Sequence, residues 1–255
     1  MVSFRSIAPL AFALAVGAAP IASQAQSFSS DQRSEIEKIV KEYLLANPEI
    51  LEEVSAELTK RQTDAEEKKH RIAVEKNAET IFNSPRGVLL GNKNGDVNFV
   101  EFFDYNCGYC KKAMSDMLDL MKSDPKLRVT LKEFPVLGPG SVEAAQVAVA
   151  VRMQDPTGKK YLDFHQKLLG GRGQADKARA LAVAKDVGVD MAKLEKDMTS
   201  PEVAATLNEN FKLAEEMGLN GTPSYVIGKD VVVGAVGLDG LTKKISESRC
   251  GKATC

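Results

Sequence analysis

The apolar positions of the N-terminal part of the chain recur at helical intervals. Residues 31–82 contain one proline and no glycine. In "DQRSEIEKIVKEYLLA" apolar side chains are three and four residues apart, which predicts an amphipathic helix. Asn47 is a good N-cap and Pro48 suits a first helical position, so we expect one helix to end near Ala46 and another to begin there. The second helix continues the apolar face with Ile50, Leu51, Val54 and Leu58.

A polar segment follows this pair of helices. Residues 59–71, "TKRQTDAEEKKHR", carry charges of both signs and predict a solvated helix or a flexible connector. The apolar face before it could fold back onto the rest of the chain or bind further copies of the chain. The charged segment separates the two parts, which favours self-association, because short isolated helices are stabilised mainly by packing. We therefore predict an oligomerisation segment with its connector at residues 26–84.

From residue 85 onward the pattern alternates between strands and helices. Strands are predicted at "GVLLGN", "VNFVEFFDY", "RVTLKEFPV", "PSYVIG" and "VVVGAVG". Helices are predicted after the second strand, over residues 140–218, and in the closing "LDGLTKKISESR". This order predicts a mixed α/β sheet with helices on both faces. Residues 85–255 should form one α/β domain with a helical insertion at about residues 140–218.

Charge and the first residues restrict the function. The 34 basic and 35 acidic residues give a net charge of −1, without the basic excess that nucleic-acid binding requires. The segment "MVSFRSIAPLAFALAVGAAPIASQAQ" has one cation, a short apolar run and then small residues, so it predicts a signal peptide cleaved after Ala25. An uncleaved anchor is the alternative, but the run is shorter than the ~20 residues that span a bilayer. The chain is therefore predicted to be exported.

All four cysteines lie in the exported part, where an oxidising compartment permits disulfides. Cys107 lies where a predicted strand ends and a helix begins, and a helix N-terminus lowers a thiol pKa. Cys110 lies one turn later, placed to attack a mixed disulfide formed at Cys107. The pair is therefore predicted to be a nucleophile and its resolving partner.

Other assignments of the cysteines are less favourable. Cys107 and Cys110 could join Cys250 and Cys255 in a four-sulfur zinc site, but the second spacing does not fit a zinc ribbon. A purely structural Cys107–Cys110 disulfide would close too small a loop to add much stability. We expect Cys250 and Cys255 to form a local disulfide at the C-terminal tail, with Gly251 easing the turn. A second redox pair is the alternative there.

Thr222-Pro223 precedes a strand in "GLNGTPSYVIG", where proline could adopt a cis bond or an ordinary trans turn. Together with "VNFVEFFDYNCGYCKKA" and "YLDFHQKLL", this segment resembles the thioredoxin fold of the DsbA-like thiol:disulfide oxidoreductases over residues 85–248. The resemblance implies that Cys107 is the exposed nucleophile and Cys110 resolves. It also implies that Thr222-Pro223 lies beside them with a cis bond.

Three further polar residues lie in or near these motifs. Glu101 and Asp104 flank the cysteines, and the resemblance makes either of them a candidate for a buried acidic proton relay. His165, in "DFHQKLL", is expected to be a packed or solvated residue rather than a catalytic one, since thiol exchange needs no separate base.

The dipeptide Gly108-Tyr109 between the cysteines bears on the direction of the reaction. It lacks the histidine of the strongly oxidising DsbA and resembles the pair of DsbC-type isomerases, as does Thr222. The resemblance therefore favours a disulfide isomerase or reductase, with a net disulfide oxidase as the alternative.

The N-terminal "YLLANPEIL" adds a closer resemblance, to the suppressor of copper sensitivity protein C group. It implies a periplasmic homo-oligomer, with a trimer as the candidate assembly, and a link to copper tolerance. Its partners would be cysteine-containing exported proteins and a membrane-bound redox protein. No cofactor is required, but the soft thiolates of Cys107 and Cys110 suit Cu(I), so a periplasmic Cu(I)-binding or carrier protein is a further alternative.

Overall fold

The computed structural model describes residues 28–255, so the predicted signal peptide lies outside the described residues. The chain divides into two compact units, with the boundary between Leu58 and Thr59. No helix within residues 28–255 combines the length and the apolar character needed to cross a bilayer.

The described part of the first unit consists of α1 (Ser30–Ala46) and the start of α2 (Glu49–Lys76). Ser29 caps α1 in a reciprocal pair with Gln32. The predicted break after Ala46 is confirmed. The prediction that Asn47 caps the start of the second helix is wrong, because its side chain donates to the Tyr43 carbonyl at 2.9 Å and caps the end of α1. Large apolar side chains of this unit are exposed at Phe28, Ile36, Ile39, Val40, Tyr43, Leu45, Leu51, Val54 and Leu58.

In the second unit, the polar segment forms the continuation of α2. Near its end Val74 is buried, and ion pairs fix the helix to the turn between the last two strands. Arg71 Nε lies 2.9 Å from Asp230 Oδ1, and Lys229 Nζ lies 3.2 Å from Glu75 Oε1. The last turns of α2 therefore pack as part of the α/β domain.

Five strands form one mixed sheet in the described residues, in the spatial order β1-β3-β2-β4-β5. Central β2 is parallel to β3 and antiparallel to β4, while β1 and β5 pair antiparallel at the edges. The predicted chain order of strands and helices is confirmed. The strands are β1 (Val88–Gly91), β2 (Val97–Phe103), β3 (Leu127–Glu133), β4 (Ser224–Ile227) and β5 (Asp230–Val233).

Helices cover both faces of the sheet, as predicted for this fold class. The helices of the second unit are α3 (Ala78–Asn83), α4 (Gly108–Ser123), α5 (Pro139–Arg152), α6 (Lys159–Gly170), α7 (Lys177–Asp186), α8 (Met191–Met198), α9 (Pro201–Glu216) and α10 (Gly237–Cys250). Side chains alternate along β2, so that Phe99 and Phe103 join the core beneath α4 and α10, whereas Val100 and Phe102 join the core beneath α3 and α9. Helices α5 to α9 lie between β3 and β4 in the chain, and α5 packs against the other four.

Candidate active site

Cys107 is the N-cap residue of α4. The chain leaves β2 at Phe103, turns through three residues and begins the helix, so the sulfur faces unpaired backbone N–H groups. The backbone N–H of Cys110 donates to Cys107 Sγ at 3.3 Å. Both are free thiols; Cys107 is buried, with 7% of its surface exposed, rather than exposed as the resemblance implies, and Cys110 is fully buried. This arrangement makes Cys107 the sulfur that an incoming disulfide can reach.

The two thiols have opposite acidities. The hydrogen bond that the Cys110 thiol donates, together with Thr222 and nearby backbone N–H groups, lowers the Cys107 pKa from 9.0 to about 5. The same hydrogen bond, followed by burial, raises the Cys110 pKa far above its usual range. At neutral pH the pair therefore consists of a thiolate at Cys107 and a thiol at Cys110.

The segment before β4 completes the site. The Thr222-Pro223 peptide bond is cis, and Cys107 Sγ lies 3.2 Å from the Thr222 carbonyl oxygen, to which the protonated thiol can donate. Gly234, just after β5, donates its N–H to the Pro223 carbonyl at 2.9 Å. The pairing of β4 with β2 thus brings together residues more than a hundred positions apart in the chain.

Glu101 lies in β2 on the same side of the sheet as Cys110. It is 1% exposed, pairs across the strands with Tyr225, and Oε2 has no hydrogen-bond partner in the described structure. Burial, followed by the charges of Cys107 and Asp116, raises its pKa to about 8. Glu101 is therefore a buried carboxyl group whose pKa lies close enough to neutral for it to exchange a proton.

Asp104 holds the turn that precedes the nucleophile. Its carboxylate accepts hydrogen bonds from the Asn106 N–H at 2.8 Å, the Ser141 hydroxyl at 2.7 Å and the Leu137 N–H at 2.9 Å. These bonds tie the turn before Cys107 to the start of α5.

His165 is a packed histidine, as expected. Its ring lies between Phe103, with a centroid distance of 4.5 Å, and Tyr105 and Tyr161. Burial lowers its pKa to about 3, so it stays neutral. These ring contacts fit the packing role that the sequence predicts.

The dipeptide between the two cysteines contributes an exposed aromatic side chain to the surface beside the thiols. Tyr109 is 70% exposed, and a side chain added at Gly108 would meet no atom within 4 Å, so this spacer presents an open surface. Leu137, bonded through its N–H to Asp104, is also exposed, which the sequence analysis missed. Its only sequence signal was an apolar residue in the segment between β3 and α5.

Cys250 and Cys255 form a disulfide at the C-terminal end of α10, where Gly251 adopts a left-handed conformation. The preceding Arg249 bonds Asp96 and Asp124, which lie before β2 and after α4. The site thiols lie at the opposite ends of those two elements. The disulfide therefore cannot complete a four-sulfur zinc site with Cys107 and Cys110, and no cluster of three or more metal-ligand side chains occurs among residues 28–255.

The thiolate at Cys107 predicts a distinctive pH profile. In the reduced protein the rate of alkylation by iodoacetamide should rise with pH, be half-maximal near pH 5 and level off above it, because only the thiolate reacts. Cys107→Ser should lose this low-pH phase. A half-maximal rate near pH 9.0, the ordinary pKa of a cysteine, would contradict the assigned thiolate.

Comparisons with known proteins agree with this geometry. The DSBA-like thioredoxin domain family matches residues 99–246, more than half of the chain, and the copper resistance protein ScsC N-terminal domain matches residues 32–65. A thioredoxin-like oxidoreductase from Silicibacter pomeroyi DSS-3 is 42% identical, with a TM-score of 0.64 over 67% of this chain and 96% of that one. Proteus mirabilis ScsC in a transitional conformation is 28% identical, with a TM-score of 0.64 over 88% of this chain and 98% of that one.

The chain matches its curated relatives over different fractions of their own length. Disulfide bond formation protein D of Bacillus subtilis is 25% identical over 177 residues, covering 64% of this chain and 78% of that protein. The chain spans only 25% and 26% of the length of two sodium/proton antiporters that it also matches.

Proposed function

The chain belongs to the DsbA-like thioredoxin domain family of thiol:disulfide oxidoreductases, and from this premise we propose that it is a periplasmic protein disulfide isomerase or reductase. Cys107 thiolate attacks a client disulfide, forming a mixed disulfide and releasing one client thiolate. If that thiolate attacks another disulfide and the freed sulfur displaces Cys107, the client is rearranged with no net oxidation. If Cys110 attacks the mixed disulfide instead, the client leaves reduced and the Cys107–Cys110 pair is oxidised.

The N-cap position of Cys107, where its sulfur accepts the Cys110 N–H at 3.3 Å, is the observation that carries this proposal. A pKa of about 5 lies between about 7 in the strongly reducing thioredoxin and about 3.5 in the strongly oxidising DsbA. Because folding lowers this pKa from 9.0 to about 5, the thiolate stabilises the reduced form fully above pH 9.0; the stabilisation decreases as the pH falls and is lost below about pH 5. An intermediate acidity suits an enzyme that must both attack and release disulfides.

Glu101 supports the resolving step. Cys110 must lose its proton before it can attack, and its high pKa makes this unfavourable at neutral pH. Glu101 lies on the same side of the sheet and titrates at about pH 8, so a fraction is ionised and able to take the proton.

We place client binding and assembly on separate surfaces. Exposed Tyr109, in the spacer between the cysteines, and exposed Leu137, bonded to Asp104, suit unfolded, cysteine-containing exported proteins. The exposed apolar face of α1 and the start of α2 suits a homo-oligomer, with a trimer as the candidate.

A membrane-bound redox partner would return the oxidised pair to the dithiol. The C-terminal disulfide serves as a local staple.

Copper binding by the dithiol is the second proposal, supported by two soft sulfur ligands joined by a hydrogen bond. Because Cys110 is protonated at neutral pH, Cu(I) binding to both sulfurs should release about one proton and tighten as the pH rises. A pH-stat titration of the reduced protein with Cu(I) checks this. Cys107→Ser with Cys110→Ser should abolish binding, and unchanged binding in that variant would refute the site.

A scrambled disulfide substrate tests the isomerase activity. The reduced protein should restore the native substrate activity while the total number of substrate disulfides stays constant. A fall in the number of substrate disulfides without a return of native pairing would show net reduction, and unchanged pairing with an unchanged number of disulfides would contradict the proposed exchange.

A further inference from the structure

Asn106, the residue immediately before Cys107, makes an unusual set of contacts for a turn residue. Its side-chain Oδ1 accepts the Ala175 N–H at 2.7 Å, and Nδ2 donates to the Ala175 carbonyl at 2.9 Å. Nδ2 also donates to the Ser141 hydroxyl at 2.9 Å. The Asn106 amide thus pairs with both the N–H and the carbonyl of Ala175, which lies between α6 and α7, as the backbone of a neighbouring strand would.

The contacts of Asn106 continue into a closed network. The Ser141 hydroxyl donates to Asp104, and Asp104 accepts the backbone N–H of Asn106. The carbonyl of Asp104 in turn accepts the Cys107 N–H at 3.1 Å. Asp104, Ser141 and Ala175 are each at most 1% exposed, so water does not compete for these bonds.

The network fixes the position of the nucleophile relative to two parts of the chain. The Cys107 sulfur is held by the Cys110 N–H and lies beside Thr222. The backbone just before it is held by the helical insertion through Ser141 and Ala175. A small displacement of the turn would lengthen the sulfur contacts, on which the stability of a thiolate depends steeply.

We propose that Asn106 is a positioning residue of the thiol–disulfide reaction, which couples the helical insertion to the reactivity of Cys107. This inference rests on the proposed role of Cys107 as the nucleophile. The side-chain bonds of Asn106 go to Ser141 and Ala175, so it acts on the sulfur through the geometry of the turn.

The test compares three variants of the reduced full-length protein. Asn106→Ala removes every side-chain bond, and Ser141→Ala removes one link but leaves the Ala175 pair. Asn92→Ala is the matched control. The Asn92 side chain, in the loop after β1, accepts the Asn94 N–H and donates to the carbonyl of Pro125, just after α4. The Cys107 pKa is followed through thiolate absorbance and alkylation rate against pH, and thermal unfolding is recorded for each variant.

We expect Asn106→Ala to raise the Cys107 pKa by about 0.5 to 1, the effect of weakening about one hydrogen bond to the thiolate. Ser141→Ala should raise it less, and Asn92→Ala should leave it unchanged even if the protein is destabilised. A folded Asn106→Ala protein with the wild-type pKa would overturn the inference. If Asn106→Ala does not fold, an unchanged pKa in Ser141→Ala would overturn it equally.

Failure of the proposed function gives a different result. A wild-type Cys107 pKa near its ordinary value of 9.0 would remove the nucleophile assignment and the positioning role together. A wild-type pKa near 5 with an unchanged value in Asn106→Ala would remove only the positioning role.

Discussion

Replacing Cys107 by serine is expected to reduce isomerisation of a scrambled substrate roughly 100-fold or more, to the rate without enzyme. A serine hydroxyl is not ionised near neutral pH, so the N-terminus of α4 no longer holds an anion that can attack a disulfide. The rate of recovery of native substrate activity measures this loss. Thermal unfolding of the variant should show that the fold is retained, since serine is nearly the same size.

The resolving residue and the distant disulfide give the matched comparisons. Cys110→Ala should accumulate a mixed disulfide with the client, because the buried thiol that would release it is missing. Cys250→Ser with Cys255→Ser should retain isomerisation, since that disulfide lies at the other end of β2 and α4. Equal losses in the Cys107 and Cys250/Cys255 variants would contradict the assignment of the active site.

Removal of residues 26–58 is expected to convert the oligomer into single chains and to lower isomerisation at least about tenfold, because several active sites then no longer act on one client. Reduction of a small, accessible disulfide should be unaffected. The deletion ends at Leu58 because α2 beyond it packs into the second unit through Val74 and Arg71. Analytical ultracentrifugation and the two assays measure these changes.

Point variants separate loss of assembly from loss of structure. Val40→Glu puts a charge on the exposed apolar face of α1 and should also give single chains. Ser34→Glu puts the same charge on the opposite face of the helix and should leave the assembly intact. A full-length protein that already has the mass of one chain would refute self-association and leave folding back as the explanation of the apolar face.

The sequence was sufficient to predict the order of strands and helices and the place of Cys107 between β2 and α4. Both follow from local patterns: alternation in "VNFVEFF", helical spacing after it, and two cysteines one turn apart. The break after Ala46 followed from the proline two residues later, but Asn47 closes α1, because one residue can serve either neighbouring helix end and only the tertiary structure decides.

The hydrogen-bond partners and burial of the site residues could not be predicted from the sequence, because they depend on long-range contacts. The partners of the two acidic residues could not be read from the sequence: Glu101 has a buried oxygen without a partner in the described structure, whereas Asp104 accepts three hydrogen bonds. The amide pair between Asn106 and Ala175 joins residues 69 positions apart, and an alanine carries no chemical signal of such a contact. The position of the nucleophile is therefore a local property of the sequence, and its environment comes from the tertiary fold.

The resting redox state of the Cys107–Cys110 pair tests the central claim most directly. Cells producing the protein are quenched with acid, their free thiols are alkylated with a mass tag, and the two cysteines are scored in the isolated protein. An isomerase or reductase must begin each cycle with the Cys107 thiolate, so the account predicts that most molecules carry both tags. A pair found predominantly as the disulfide would contradict it and identify the protein as a net oxidase.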